Sequence, residues 1–270
     1  MARRGEPRGS VGRVFRCPHC GAALETGERA WRCANGHSFD VARQGYVALD
    51  RKAARGDTAE MVAARVAFLE AGHYAPIAEA IVAAVAAGGA GASGGRDGAL
   101  RTVVDLGAGP GYYLAAVLDA NLGARGVALD SSRPAVRRAA RAHPQITAVA
   151  CDAWDALPLR DGVADVVLNV FAPRNPDEMR RVLKPEGRIV VVTPTERHLG
   201  ELELLRVHPE KRERLHKDLG TPHQERDLEF TLELDDVTPL VQMGPSAHHG
   251  LERQGPQRVT VSVTVSTFRG

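Results

Sequence analysis

Between residues 101 and 193, five apolar runs (101–106, 124–130, 146–151, 163–170 and 188–193) alternate with stretches of helical pattern about ten residues long. Runs rich in Val, Ile and Leu suit strands buried on both faces, and helices between them force the strands parallel. The alternation predicts an α/β fold with a doubly wound, Rossmann-like parallel sheet. Two more strands are expected in the tail, at 228–234 and 258–268. Val259, Val261, Val263 and Val265 alternate with Thr and Ser, so the last strand is expected to bury one face, in an antiparallel pair at the sheet edge.

The first of these runs ends in Val103-Val-Asp-Leu-Gly-Ala-Gly-Pro-Gly-Tyr112. Glycines between a strand and a helix let the backbone turn sharply and approach a ligand closely. The amides of the following helix then face an anionic group. The spacing is G-x-G-x-G, with Asp105 two residues before Gly107, rather than the dinucleotide pattern G-x-G-x-x-G. It resembles motif I of the class I S-adenosylmethionine (AdoMet) methyltransferases, in which the cofactor lies beyond the carboxyl ends of the strands. Suitable residues then follow in order. Asp130 ends the second strand and is placed for ribose hydroxyls. Asp152 follows the third and resembles the residue that contacts adenine. Asn169 ends the fourth and begins Asn-Val-Phe-Ala-Pro173, which faces the reacting methyl in that fold. Cys151 and Trp154 read as core or pocket wall.

Upstream, Cys17, Cys20, Cys33 and His37 form a C-x2-C-x12-C-x3-H pattern. Two close pairs joined by a chain reversal suit a tetrahedral Zn2+, and four protein ligands make it a structural site. Three of the four cysteines fall in this cluster, which favours metal ligation over a disulfide framework. His19, inside the first knuckle, reads as a bystander or nucleic-acid contact. A module of this size buries too little apolar area to fold without such a staple.

The boundaries expected are a disordered tail over 1–13, a zinc-binding β module over 14–50, a helical connector and linker over 51–98, and a methyltransferase domain over 99–270. Asp57-Thr58-Ala-Glu60 can cap a helix carrying Met61, Val62, Arg65, Phe68 and Leu69 on one stripe; Gly72 interrupts it, and Pro76 opens a second. The glycine-rich run 88–98 has linker composition. No apolar run reaches the ~18 residues of a membrane span, and the basic N-terminus lacks the apolar core of a secretory signal, so the cytoplasm is expected. A net charge of +2 leaves any nucleic-acid binding to local patches.

The stretches RCPHC, WRCANGHSFDVARQGYVALD, DTAEMVAARVAFLEAGHYAPI, VVDLGAGPGYY, RRAARAHPQ, LNVFAPRNPDEMRRVLKPEGRIVVVTP and ERHLGEL together resemble one family. It is the RlmA family of large-subunit ribosomal RNA guanine-N1 methyltransferases, nearest its tylosin-resistance (TlrB) branch. The resemblance covers 14–200; 201–270 match more loosely, and 203–225 and 247–258 look short against the family. It implies methyl transfer from AdoMet to N1 of a guanine in a 23S rRNA hairpin, with macrolide resistance as a consequence, and a homodimer whose zinc modules frame the RNA. It adds Tyr74 and His198 as cofactor contacts, with Pro110, Gly111 and Tyr112 joining Gly107 and Gly109 in the loop. Basic residues available to hold the hairpin are Arg13, Arg16, Arg43, Arg51, Lys52 and Arg55. Arg133, Arg137 and Arg141 read as a solvated helix face.

Guanine N1 carries a proton and is paired inside a helix, so the base must be unpaired or extruded and the proton must leave. Asn169, Asp152 and His198 are all conceivable for that step. Two other readings stay open at this point: a zinc-containing AdoMet methyltransferase acting on a small molecule or protein, and a non-catalytic ribosome-binding homologue.

Overall fold

In the first expected run, Thr102–Leu106 forms a strand, β5, that is buried almost throughout and lies near the middle of an eight-stranded sheet. The computed structural model describes residues 14–50, 56–87, 101–202, 210–244 and 257–270. The expected tail 1–13 and linker 88–98 lie outside these residues, as do parts of the two segments read as short.

Strands β6 (Arg125–Asp130) and β7 (Ile146–Ala150) add in parallel on one side of β5. β8 (Ala164–Val170) and β9 (Leu183–Pro194) add in parallel on the other. The chain therefore reverses direction of winding between β5 and β8, and a cleft opens at the strand ends there. Helices α3 (Tyr112–Ala120), α4 (Arg133–Ala142) and α5 (Pro176–Val182) form the crossovers. Each start is encoded locally. Ser132 caps α4 by accepting from Ala135 N–H, Asn175 caps α5 by accepting from Glu178 N–H, and Pro134 and Pro176 occupy first-turn positions. The connector folds as α1 (Ala59–Glu70), capped by Thr58, and α2 (Ala75–Ala87).

β10 (Gln224–Leu234) and β11 (Gln257–Arg269) form the expected antiparallel pair, and β11 also runs antiparallel to β9. The expectation of one buried face on β11 is corrected: Ser262, Thr264 and Ser266 are as buried as the valines between them. β11 is an inner strand, and α6 (Lys211–Leu219) contributes Leu215 and Leu219 to the same core cluster as Phe268. The buried hydroxyls are satisfied laterally, Thr264 by Asp227 at 2.6 Å and Ser266 by Glu225 at 2.7 Å.

A second difference positions the metal module. The 151–163 connection between β7 and β8 contains no helix. Its place on that sheet face is taken by the N-terminal module, a three-stranded antiparallel sheet of β1 (Leu24–Thr26), β2 (Ala30–Cys33) and β3 (Ser38–Asp40). Phe15 and Trp31 pack together with ring centroids 4.5 Å apart, in one core cluster with Val127, Leu129, Val149, Leu157 and Leu159. Arg16 N–H donates to Pro158 O at 3.0 Å, and Arg160 N–H to Val14 O at 2.9 Å. The module then runs into β4 (Val47–Ala48), which pairs in parallel with β7 as the outermost strand of the large sheet. Metal module and sheet thus share one core.

A short α7 (Thr238–Gln242) packs on α1. No helix among the described residues is long and apolar enough to cross a membrane.

Candidate active site and metal corner

The metal corner is built by two tight turns. Gly21 N–H donates to Cys17 O at 2.8 Å, and Gly36 N–H to Cys33 O at 3.0 Å, so each knuckle points its donors the same way. The ligand atoms of Cys17, Cys20, Cys33 and His37 all lie within 4.8 Å of one another. Cys20 Sγ is 3.7 Å from Cys33 Sγ; His37 Nδ1 is 3.4 Å from Cys33 Sγ and 3.6 Å from Cys17 Sγ. Zn–S and Zn–N bonds of about 2.3 and 2.0 Å in a tetrahedron give edges of roughly 3.5–3.8 Å, so the donor set fits zinc. The backbone N–H of Ala22, with Asn35 helping, holds the Cys20 thiol down to about 6, ready to lose its proton to a metal. Four protein donors leave no open position for chemistry. His19 stands outside the set, its ring 5.1 Å from that of His37 and 5.6 Å from that of Phe39.

The cleft at the strand ends has a volume of about 1080 Å³. It is lined by the predicted Tyr74, Asp105, Gly107, Gly109, Pro110, Tyr112, Asp130 and Asp152, brought together from α1–α2, β5, β6 and β7. A Cβ on Gly107 would fall 2.3 Å from Ala172 Cβ, because the loop after β8 closes directly over the glycine turn. Gly111 does not line the cleft; a side chain there would meet Ala139 and Ala142, so it serves the packing of α3 on α4.

The electrostatics of the cleft are unusual for acids. Asp105 is fully buried, and neither carboxylate oxygen has a partner. Burial, and then the neighbouring Asp130, push its pKa up to about 8. An unpaired buried acid facing a cleft fits a ligand that brings its own cationic donor. Asp130 accepts from Gly109 N–H and Ser132 N–H, both at 2.8 Å, and braces the glycine turn while keeping lone pairs toward the cleft. Asp152 accepts from Trp154 N–H at 2.9 Å through Oδ1.

Two predicted residues stand behind the cleft rather than on it. Asn169 donates from Nδ2 to Leu106 O at 3.1 Å and Pro173 O at 2.9 Å, tying the loop after β8 to the end of β5. His198 is buried, accepts from Ser262 N–H at 3.3 Å, and lies 5.8 Å from Phe171 and 6.4 Å from Tyr74 between ring centroids. Burial first, and then Lys211, lower its pKa to about 4, so it is neutral at pH 7. Phe171 lies on the cleft wall in a left-handed backbone conformation (φ 54°), where a bulky residue is strained.

Of the basic candidates, Arg13, Arg51, Lys52 and Arg55 lie outside the described residues. Arg43 is exposed. Arg16 is engaged internally, its Nε donating to Leu157 O at 3.2 Å and its guanidinium 3.8 Å from Glu178, so it fastens the metal module to the sheet. Sequence reasoning missed Arg65, which lines the cleft, pairs closely with Asp57 and donates to Met243 O at 2.5 Å. The available signal was a lone cation on the otherwise apolar stripe of α1. It also missed Arg174, Lys211 and Arg214, which line the cleft mouth.

A doubly wound sheet with acids at three successive strand ends and a Cys3His ribbon on its face defines a class: a zinc-ribbon, AdoMet-dependent class I methyltransferase. The family models agree, a zinc ribbon described as "RlmA, N-terminal" matching residues 15–49 and a methyltransferase domain matching 103–187. The chain is 49% identical, over 97% of its length and 99% of the relative's, to the 23S rRNA (guanine(748)-N(1))-methyltransferase of Streptomyces fradiae. It is also 49% identical to a Micromonospora griseorubida protein carrying the 23S rRNA (guanine-N(1)-)-methyltransferase name, over 92% of this chain and 90% of that one. The chain belongs to the RlmA family of 23S rRNA guanine-N1 methyltransferases.

Proposed function

We propose that this protein transfers a methyl group from AdoMet to N1 of a guanine in a hairpin of 23S rRNA. The observation that carries the reading is a relative, named for that reaction at guanine 748, that matches ribbon and cleft together over nearly the whole chain. The cofactor, when bound, supplies an electrophilic methyl on a cationic sulfur. This chain's residues supply the rest. Asp105 takes the cofactor's ammonium, Asp130 its ribose hydroxyls and Asp152 the adenine end, while Tyr74, Gly107, Gly109, Pro110 and Tyr112 shape the walls. Asn169, His198 and Gly111 hold that wall from behind. The four zinc ligands are Cys17, Cys20, Cys33 and His37, and we divide the chain into a tail (1–13), ribbon (14–50), connector (51–98) and methyltransferase domain (99–270).

Catalysis here is chiefly placement: N1 must approach the methyl in line at about 3–3.5 Å with water excluded. Of the three residues named for the N1 proton, Asn169 and His198 stand behind the cleft and Asp152 serves the adenine end, so none of them is assigned that proton. The protein acts in the cytoplasm as a homodimer, and its product confers macrolide resistance on a sensitive host; light scattering and growth on tylosin test those two points. The primary assay is transfer of labelled methyl from AdoMet to 23S rRNA lacking the modification. Label appearing only in protein or small molecules would replace this reading with the alternative acceptor classes.

A further inference from the structure

Two cations on one wall of the cleft mouth have no close ion-pair partner among the described residues. Arg174 ends the loop pinned over Gly107 by Asn169, and Lys211 opens α6; both line the cleft and both are half-buried. Neither makes a hydrogen bond or ion pair with any described residue. The nearby acids are otherwise placed: Glu210 pairs with Arg214 at 3.0 Å, and Asp218 reaches Arg174 only through longer-range attraction. The two cations feel each other. Burial holds the Lys211 ammonium below its ordinary pKa, and Arg174 depresses it further. Burial lowers Arg174 as well.

Two like charges brought together in a partly desolvated place are unfavourable until an anion joins them. The cofactor has a cation of the chain closer to its glycine turn, since a Cβ on Gly109 would lie 3.6 Å from Arg65 Nη1. A guanine base can offer O6 and N7 to a cation but is neutral, so it leaves both charges uncompensated. A phosphodiester offers a full charge and two free oxygens, the partner that a guanidinium and an ammonium select. The same mouth presents Trp154, 67% exposed, as an apolar face of the kind on which unpaired bases stack.

We propose that Arg174 and Lys211 form a phosphate subsite that grips the backbone of the target nucleotide, so that its base is turned into the cleft toward the methyl. The proposal rests on RNA being the acceptor. It puts a sequence-independent grip at the cleft mouth, separate from any contact made by the zinc ribbon.

The test uses the full chain with a 23S rRNA transcript and the variants R174Q, K211Q, their double, and K211R. Each Gln variant should weaken RNA binding about tenfold, the loss expected for one charge-assisted contact. KM for RNA should rise more than kcat falls. The slope of log affinity against log salt should shrink by about one for each cation removed. K211R should recover most of the binding, and AdoMet affinity, read by calorimetry, should not move. Unchanged RNA affinity and salt slope in a double variant that still melts like the parent would overturn the proposal. So would AdoMet affinity falling in step with RNA affinity, which would assign the pair to the cofactor. Failure of the acceptor reading looks different: the unmodified protein itself would leave the transcript unmethylated.

Discussion

The metal corner and the cofactor cleft are both clusters of ionisable side chains brought together by tight turns, yet they are finished in opposite ways. In the ribbon, three thiols and an imidazole face each other at tetrahedral edge lengths, and every donor is used inward. In the cleft, Asp105 is buried with both oxygens unpartnered, and Arg174 and Lys211 stand at the mouth with no ion pair among the described residues. A closed set stabilises the fold; an open set waits for ligand charge. What joins them is that the ribbon, in place of a crossover helix, covers the sheet face behind the cleft, and its outgoing strand β4 lies against β7, whose end leads to Asp152.

The largest expected effect comes from opening the closed set. Zinc-site binding energies are on the order of 10 kcal/mol, comparable with the whole stability of a domain. Cys33→Ser, or chelation, should release the metal and abolish cooperative melting of the sheet as well as the ribbon. A sheet that melts unchanged without zinc would break the claim that the two regions share one core.

Next comes the joint itself. Phe15 is fully buried between ribbon and sheet. Phe15→Ala should cost about 3–5 kcal/mol in denaturant unfolding while leaving the zinc content intact. Loss of zinc without loss of global stability would show the ribbon to be an independent bead.

In the cleft, Gly107→Ala places a methyl against Ala172 at a backbone φ of 75°. The combined strain and clash should cost about 1–3 kcal/mol and weaken AdoMet binding by at least tenfold, measured by calorimetry. Unimpaired AdoMet binding would mean that the loop after β8 does not close over the turn.

The smallest and most specific effect is a pH dependence. Asp105 has a pKa near 8 in the folded protein, against an ordinary value of 3.8. The folded state therefore holds this proton more tightly than the unfolded state does. The stability it contributes to the ligand-free protein is complete below about pH 4 and is lost as pH rises through 8. A cationic ammonium beside Asp105 reverses this, so AdoMet binding should release up to one proton between pH 5 and 8 and strengthen as pH rises. Calorimetry in buffers of different ionisation heat reads that proton. Asp105→Asn should remove both effects; a variant that kept the proton release would assign it elsewhere.

Much of this contrast is legible in the sequence, for a physical reason. The Cys3His spacing and the strand–glycine–helix unit are local: turns of a few residues dictate where their donors point, and Asp130 and Asp152 follow from being at the ends of strands. What is not legible is non-local. Nothing in 151–163 announces that Phe15 and Trp31 will stand where a helix was expected. Arg16 looks like a free cation until Leu157 and Glu178 arrive beside it. The alternating tail strand implies one wet face, because the sequence does not say that α6 returns to cover it. Arg174 and Lys211 become a pair only when α6 is laid over the loop after β8.

The most direct measurement of the central claim is a reverse-transcription map of 23S rRNA after incubation with the purified protein and AdoMet, starting from RNA of a strain without the modification. A new stop is expected at a single guanine, with a methyl at N1 by mass spectrometry, dependent on both zinc and AdoMet. A map identical to that of untreated RNA, with a folded, zinc-loaded protein that binds AdoMet, would contradict it.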